Sequence, residues 1–157
     1  MGINGNWLYV QASDAGLQAY DLNTGKALWS KSTTGNYCPG VAASEALFME
    51  IWGGKIYLGM FGGDCIPAFN ESDGSQAWAF APTAQVATFF NQPVYVRGVL
   101  YATNGLTYAI DAATGKQLAQ AREEITGNFL ATLRYDPRSN NVLVWAGLNL
   151  YAYKPLN

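Results

Sequence analysis

The chain has 157 residues and no histidine. Catalytic triads and metal sites that depend on an imidazole therefore cannot be built from this chain alone. Charged residues are also scarce, since they make up 13% of the sequence and leave a net charge of −2. Nucleic-acid-binding proteins usually carry a basic stripe, so no nucleic-acid partner is expected. Intrinsic disorder is excluded as well, because 50% of the residues are apolar.

Long apolar runs are missing too. No stretch of about 18 apolar residues occurs, so no transmembrane segment is expected. The first residues lack the basic and apolar regions of a secretory signal peptide, which leaves three origins open: a cytosolic chain, a chain that has lost a leader, or a piece of a longer protein. There are only two cysteines, Cys38 and Cys65, which are too few for a zinc site, and no metal site is predicted.

What the sequence does contain is an internal repeat, the signature of a repeat architecture. Residues 17–29 align with residues 66–78 and with residues 107–119. A cut-off fourth copy follows, with Ala152 in the first repeat column. The shared columns hold Ala19, Ala68 and Ala109; Asp21, Asn70 and Asp111; Gly25, Gly74 and Gly115; and Trp29 and Trp78, with Ala119 in the third copy.

A second aligned row lies upstream in each copy and holds Tyr9, Tyr57 and Tyr101, with Leu143 in the fourth copy. Short aromatic and β-branched runs separated by Gly, Asn and Asp predict strands joined by tight turns. With strands A to D in each copy, the second copy is predicted at 46–52, 55–60, 65–70 and 76–81. The third copy is predicted at 88–97, 99–103, 107–111 and 117–122.

Four strands in about 40–45 residues are the unit of a β-propeller blade. We therefore predict an all-β fold, a single propeller segment over residues 1–157, with repeats at about 7–35, 45–83, 88–124 and 129–157. The first blade is expected to lack strand A and the last blade to lack strand D.

The first copy follows the pattern Ala-x-Asp-x-x-x-Gly-Lys-x-x-Trp, from Ala19 to Trp29. This pattern resembles the repeat of pyrroloquinoline-quinone (PQQ)-type propellers. That group includes quinoprotein alcohol dehydrogenases and non-catalytic relatives such as bacterial outer-membrane assembly lipoproteins. The second copy departs from it at Asn70 and Ser75, and the third at Ala119. The resemblance implies that Trp29 and Trp78 pack between neighbouring blades, where a flat indole buries a large area.

The resemblance also implies a larger assembly, because propellers of this type commonly have seven or eight blades. The chain is then the C-terminal half of such a propeller, and its partner is the missing N-terminal half or another chain. A free half ring exposes blade faces and sheet edges, which favour association. A self-sufficient ring of four blades is the alternative.

The two cysteines are expected on the same rim of the second blade, Cys38 in the loop before strand A and Cys65 in the turn before strand C. A disulfide between them would place the chain in an oxidising compartment, so a secreted or periplasmic location is favoured; the alternative is two unpaired thiols. Quinoprotein dehydrogenases often carry a disulfide between adjacent cysteines, and this chain has no adjacent pair.

Three residues are candidates for a ligand or cofactor site. Glu50 and Trp52 alternate onto one face of the innermost strand of the second blade, and Arg97 ends the innermost strand of the third. A carboxylate in a propeller channel could bind Ca²⁺ or act as a base, and an arginine could pair with an anion. The alternative for each charge is a solvated or paired position at a strand end.

These observations favour a binding or scaffold module that presents a propeller face to a protein or small ligand. The first alternative is part of a PQQ-dependent, alcohol-type dehydrogenase, which would require PQQ and Ca²⁺. The second alternative is a carbohydrate-binding propeller, suggested by the many tyrosines and tryptophans.

Overall fold

The computed structural model describes residues 1–12, 16–31, 38, 46–60, 65–82, 91–122 and 132–156. Within them every regular element is a β-strand, and the strands form four antiparallel sheets. The first sheet contains β1 (Gly2–Asn4), β2 (Trp7–Ala12), β3 (Gly16–Asp21) and β4 (Ala27–Lys31), and the second contains β5 (Ala46–Trp52), β6 (Lys55–Met60), β7 (Ile66–Asn70) and β8 (Gln76–Phe80). The third contains β9 (Val94–Val96), β10 (Val99–Thr103), β11 (Leu106–Asp111) and β12 (Gln117–Arg122), and the fourth contains β13 (Thr132–Asp136), β14 (Asn141–Ala146) and β15 (Asn149–Tyr153).

Each sheet is a meander in which consecutive strands pair, so the predicted propeller blades are confirmed. One expectation was wrong: the first blade does not lack its innermost strand. Gly2–Asn4 pairs with Trp7–Ala12 and completes a sheet of four strands. This segment is short and carries one apolar side chain, so it gives no alternating pattern. The described part of the fourth blade has three strands, as expected.

The four blades stand side by side around a common axis, with β1, β5, β9 and β13 as the innermost strands. Strand β1 lies against β5, β5 against β9, and β9 against β13. In the part of the chain that the structure describes, the fourth sheet does not return to the first. Over the described ranges the blades form an open arc, in which no other sheet packs on the outward faces of the first and fourth blades.

Three apolar cores fill the spaces between neighbouring blades. Successive side chains of a strand point to opposite faces, and β6 shows the result: Ile56 and Leu58 pack toward the first blade, while Tyr57 packs toward the third. Because both faces of an internal blade are buried, few positions remain where a charged residue would be solvated. This accounts for the low charge of the sequence.

The turn between the third and fourth strands of a blade is held by its aspartate. Asp21 accepts hydrogen bonds from the backbone N–H groups of Asn23 and Thr24, both at 2.8 Å. Asp111 accepts from the backbone N–H of Thr114 at 2.8 Å and from its hydroxyl at 2.8 Å. These donors favour the ionised carboxylate and lower the pKa of both aspartates below the ordinary value.

Trp29 and Trp78 join neighbouring blades, as the resemblance implied. The Trp29 indole donates its N–H to the carbonyl of Glu71 in the second blade at 3.0 Å. The Trp78 indole donates to the carbonyl of Ala112 in the third blade at 3.2 Å. A tyrosine accompanies the second tryptophan, because the Tyr57 hydroxyl donates to the same Ala112 carbonyl at 3.2 Å.

The turn glycines provide the space for these rings. A Cβ placed on Gly74 would lie 2.6 Å from the Trp29 ring, and one on Gly115 would lie 2.7 Å from the Trp78 ring. Both glycines also have positive φ, 69° and 76°, a region that side-chain-bearing residues rarely adopt. The residues of the Ala-to-Trp repeat pattern therefore form one kind of contact, in which an indole packs over the glycine turn of the next blade.

Replacing Gly115 by alanine should separate this packing role from the backbone role. Both Gly115→Ala and the matched control Gly25→Ala incur the positive-φ penalty of about 1–2 kcal/mol, since Gly25 has φ 67° but no atom within 4 Å of its added Cβ. Only Gly115→Ala also meets an indole, which should cost about 1–3 kcal/mol more. Urea unfolding of the two variants measures the difference, and equal losses would contradict the packing role.

Candidate functional site

Four side chains, three on the inner strands and one just before β9, form a connected cluster between the second and third blades. The Trp52 indole stacks on Tyr95, with ring centroids 5.7 Å apart and an interplanar angle of 8°. Its N–H donates to Oε1 of Glu50 at 2.7 Å, and the amide of Gln92 donates to the other carboxylate oxygen at 2.8 Å. The orientation of the indole is thus set by a ring contact and a charge-assisted hydrogen bond, although 54% of Trp52 is exposed.

Glu50 lines two clefts. One, of about 510 Å³, runs from the second blade to the fourth, past Gln92 to Arg134. The other, of about 500 Å³, lies between the first and second blades and includes Asn4 and Trp52. We call these two clefts, with the cluster between them, the inner cleft surface. It combines an exposed aromatic ring with carboxylate, amide and guanidinium groups.

The structure joins two of the three predicted site residues. Glu50 and Trp52 are hydrogen-bonded to each other, whereas Arg97 is exposed in the turn after β9, has φ 49°, and lines neither cleft. A role for Arg97 therefore stays a prediction. The arginine that lines a cleft together with Glu50 is Arg134.

The sequence reasoning passed over Arg134 and Gln92. Strand register shows a signal for Arg134: Glu50 pairs with Tyr57, and Arg134 pairs with Leu143. Tyr57 and Leu143 occupy the same repeat column, so the alignment extended by one strand places Arg134 and Glu50 at equivalent positions. Gln92 lies just before β9 and carries no comparable pattern.

A second polar cluster joins the first two blades. The Tyr9 hydroxyl and the Asn4 amide both donate to Oε1 of Glu71, at 2.6 Å and 2.8 Å. Burial raises the pKa of Tyr9 above its ordinary value, and the hydrogen bond to Glu71 raises it further. The phenol therefore stays protonated at neutral pH, and its role is that of a structural donor.

The comparisons with known proteins agree with this architecture. The family model described as "Outer membrane protein assembly factor BamB" matches residues 1–151. The chain belongs to this family. It is a family of PQQ-like repeats, so the resemblance inferred from the repeat motif is confirmed.

One curated relative of this BamB-family chain is the tetrathionate hydrolase of Acidithiobacillus ferrooxidans, 27% identical over 117 residues. Among solved structures, BamB from Moraxella catarrhalis superimposes with a TM-score of 0.67 at 18% identity, covering 89% of this chain. The quinohemoprotein alcohol dehydrogenase ADHIIG from Pseudomonas putida HK5 gives 0.66 at 18% identity, covering 90% of this chain. The computationally designed Ika4 protein gives 0.71 at 14% identity, covering 97% of this chain and 87% of its own.

The BamB-family chain spans only part of its natural relatives. It covers 22% of the tetrathionate hydrolase, 43% of the Moraxella BamB chain and 27% of the quinohemoprotein dehydrogenase. At these levels of identity the solved structures establish the fold, a propeller of PQQ-like repeats. In the residues described, no helix is long and apolar enough to cross a membrane.

The cluster around Glu50 does not offer the donor set that PQQ with Ca²⁺ would need. Calcium takes about six to eight oxygen ligands, and within the described ranges no three His, Cys, Asp or Glu residues are grouped so that they could hold a metal ion. Both oxygens of Glu50 already accept hydrogen bonds, from Trp52 and Gln92. Arg97, the expected partner of an anionic cofactor, lines neither of the clefts that Glu50 lines.

The predicted disulfide between Cys38 and Cys65 is confirmed. Their Cα atoms are 5.9 Å apart, inside the range that disulfides span, and both residues are buried. The bridge ties the segment before the second blade to the start of β7 and lies against the core between the first two blades. Neither cysteine lines the clefts of the inner cleft surface.

Removing this cross-link should destabilise the chain. A sequence separation of 27 residues corresponds to about 3–4 kcal/mol of loop-closure entropy. Thermal unfolding of the wild type should therefore shift to lower temperature when dithiothreitol is added. The double variant Cys38→Ser, Cys65→Ser should unfold at that lower temperature with or without the reductant. An unfolding temperature that does not respond to reductant in the wild type would show that the bridge contributes nothing to stability.

Proposed function

We propose that this chain is a non-catalytic binding module, an arc of a larger PQQ-like propeller that presents the inner cleft surface to a ligand or protein. The observation that carries the proposal is the pair of uncovered outer blade faces. At both ends of the arc, the outer blade keeps features that face a neighbouring blade elsewhere in the chain.

The first blade has the glycine turn on which a tryptophan of a preceding blade would pack, but no such tryptophan contacts it in the described structure. Gly25 and the Leu22 carbonyl occupy the positions that Gly74 and Glu71 hold in the second blade, where Trp29 binds. A Cβ on Gly25 would meet no atom within 4 Å. The Trp29 and Trp78 contacts therefore support a further blade here, with an indole in the same place.

At the fourth blade, the outward sheet face carries exposed apolar side chains. Val142, Val144 and Ala146 of β14 pack toward the third blade, so the alternate residues face outward. Trp145 and its cross-strand partner Leu150 are each 59% exposed on that outward face. Exposed apolar pairs of this kind mark protein interfaces.

The partner that fits both faces is the remainder of the propeller, supplied by a missing N-terminal part or by another chain. The disulfide favours an oxidising environment, because such bridges are rare in the reducing cytosol. We therefore propose a periplasmic or secreted location, in agreement with the BamB-like family.

A second candidate function is carbohydrate binding at the inner cleft surface. Trp52 offers a half-exposed ring held in place by Tyr95 and Glu50. Sugars present apolar C–H faces that pack on an aromatic ring, and hydroxyls that both donate and accept. Glu50, Gln92 and Arg134 supply the complementary acceptors and donors along the adjoining cleft.

The proposed interface predicts that the isolated chain self-associates. Its native mass in sedimentation or native mass spectrometry should exceed the 17.0 kDa of one chain. Leu150→Asp should return it to a single chain, because a charge on the outward face opposes burial. The unfolding temperature should change little, since the side chain is more than half exposed.

Leu148→Asp is the matched control. Leu148 is 91% exposed in the turn before β15, off the sheet face, so its substitution should leave the native mass unchanged. A wild-type chain that is monomeric at high concentration would contradict the arc proposal, as would equal loss of association in the two variants.

The carbohydrate candidate predicts binding of neutral oligosaccharides, such as cello-, chito- or malto-oligomers, in a calorimetric titration. Trp52→Ala should weaken that affinity by at least about tenfold, the equivalent of ~1.4 kcal/mol. Trp145→Ala, an equally exposed tryptophan on the fourth blade, should leave it unchanged. A parallel titration with PQQ and Ca²⁺ should show no binding. Uptake of PQQ with dye reduction would instead establish the dehydrogenase alternative, and failure of every sugar to bind would remove the carbohydrate candidate.

A further inference from the structure

The interface between the third and fourth blades differs from the other two. The first two interfaces are closed by Trp29 and Trp78, each paired across the strand with a repeat alanine, Ala19 or Ala68. At the third interface Ala109 pairs with Ala119. An alanine thus stands where the other copies place an indole.

A cavity of about 120 Å³ lies at this position. Tyr101, Ala109, Ala119 and Ala121 line it from the third blade together with Gln120, and Tyr153 and Leu156 line it from the fourth together with Lys154. The fourth-blade wall is held in place, because the Leu156 backbone N–H donates to the Tyr101 hydroxyl at 2.7 Å. An enclosed apolar cavity of about 150 Å³ binds benzene. This space is somewhat smaller but opens to solvent beside Ala119 and Leu156, which are exposed, so a flat ring can enter it from outside.

The wall of the cavity also includes a buried threonine whose hydroxyl has no hydrogen-bond partner in the described structure. This residue is Thr107, which is only 6% exposed. In the first two copies the same repeat position holds the apolar residues Leu17 and Ile66. A buried hydroxyl that is left unpaired is costly, and a bound molecule with a donor or acceptor would relieve that cost.

We propose that this cavity binds a planar neutral heteroaromatic molecule of the indole class. The ring occupies the place that Trp29 and Trp78 fill between the other blades, and its N–H donates to the Thr107 hydroxyl. The three alanines provide flat apolar walls, and Tyr101 provides an aromatic one. This site lies on the outer part of the arc, separate from the inner cleft surface, and stands independently of the proposed function.

The test uses indole itself as the probe on the full chain. Indole should raise the unfolding temperature of the wild type in a concentration-dependent manner, since a ligand of the folded state stabilises it. Ala119→Trp fills the cavity from within the chain and should abolish this response. Should Ala119→Trp fail to fold, Ala119→Leu occupies the same space with a smaller side chain and serves the same purpose.

Two further variants make the result specific. Trp78→Ala opens the same kind of space between the second and third blades and should also respond to indole, which calibrates the assay. Thr107→Val keeps the side-chain shape and removes the hydroxyl. Wild type should prefer indole over 1-methylindole, which lacks the N–H, and Thr107→Val should lose that preference.

The outcomes that would overturn the proposal are distinct. Indole that stabilises Trp78→Ala but leaves the wild type unchanged would show that the third interface binds no ring. An Ala119→Trp variant that responds like the wild type would place the indole elsewhere. Equal affinity for indole and 1-methylindole in the wild type would remove the role assigned to Thr107.

Discussion

The contact on which the arc depends is an indole packed over the glycine turn of the next blade. One glycine turn meets three requirements together. The ring fits only where no Cβ is present, the turn adopts a positive φ that glycine tolerates, and a carbonyl of the turn accepts the indole N–H. Trp29 with Gly74 and Trp78 with Gly115 meet all three conditions. Since each contact links one blade to the next, the chain behaves as a series in which every blade completes its neighbour, as repeat proteins do.

This dependence also explains how much of the fold could be predicted. Alternating patterns and turn glycines located the strands closely, and β5, β6, β10 and β12 have the predicted bounds. In β10 the signal is a continuous apolar run, because all five of its residues are buried. Strand β12 is mostly exposed and was located by the glycine turn that precedes it. Strand β1 was missed because Gly2–Asn4 joins the sheet by backbone pairing with β2, which no side-chain pattern reports.

The candidate site was predictable only in part. The alternation of residues along β5 put Glu50 and Trp52 on one face, and the structure joins them. Their contacts with Tyr95 and Gln92 depend on how the second and third blades pack against each other, which cannot be read from the spacing of residues along the chain. Arg97 illustrates the limit: it was expected to end an inner strand, but β9 ends at Val96 and Arg97 lies in the following turn, where it lines neither of the clefts that Glu50 lines.

Departures from the repeat are more informative about function than its matches. A matching position records the blade contact, and its chemistry is explained by packing. Where the third copy has Ala119 for tryptophan and Thr107 for an aliphatic residue, packing is lost and a buried hydroxyl is gained. Both differences lie on the face toward the fourth blade, and each is unfavourable for packing alone. A ring-shaped ligand in the place of the tryptophan side chain would account for both. Glu50 and Arg134 are a further departure, because they occupy one repeat column with opposite charges and line one cleft.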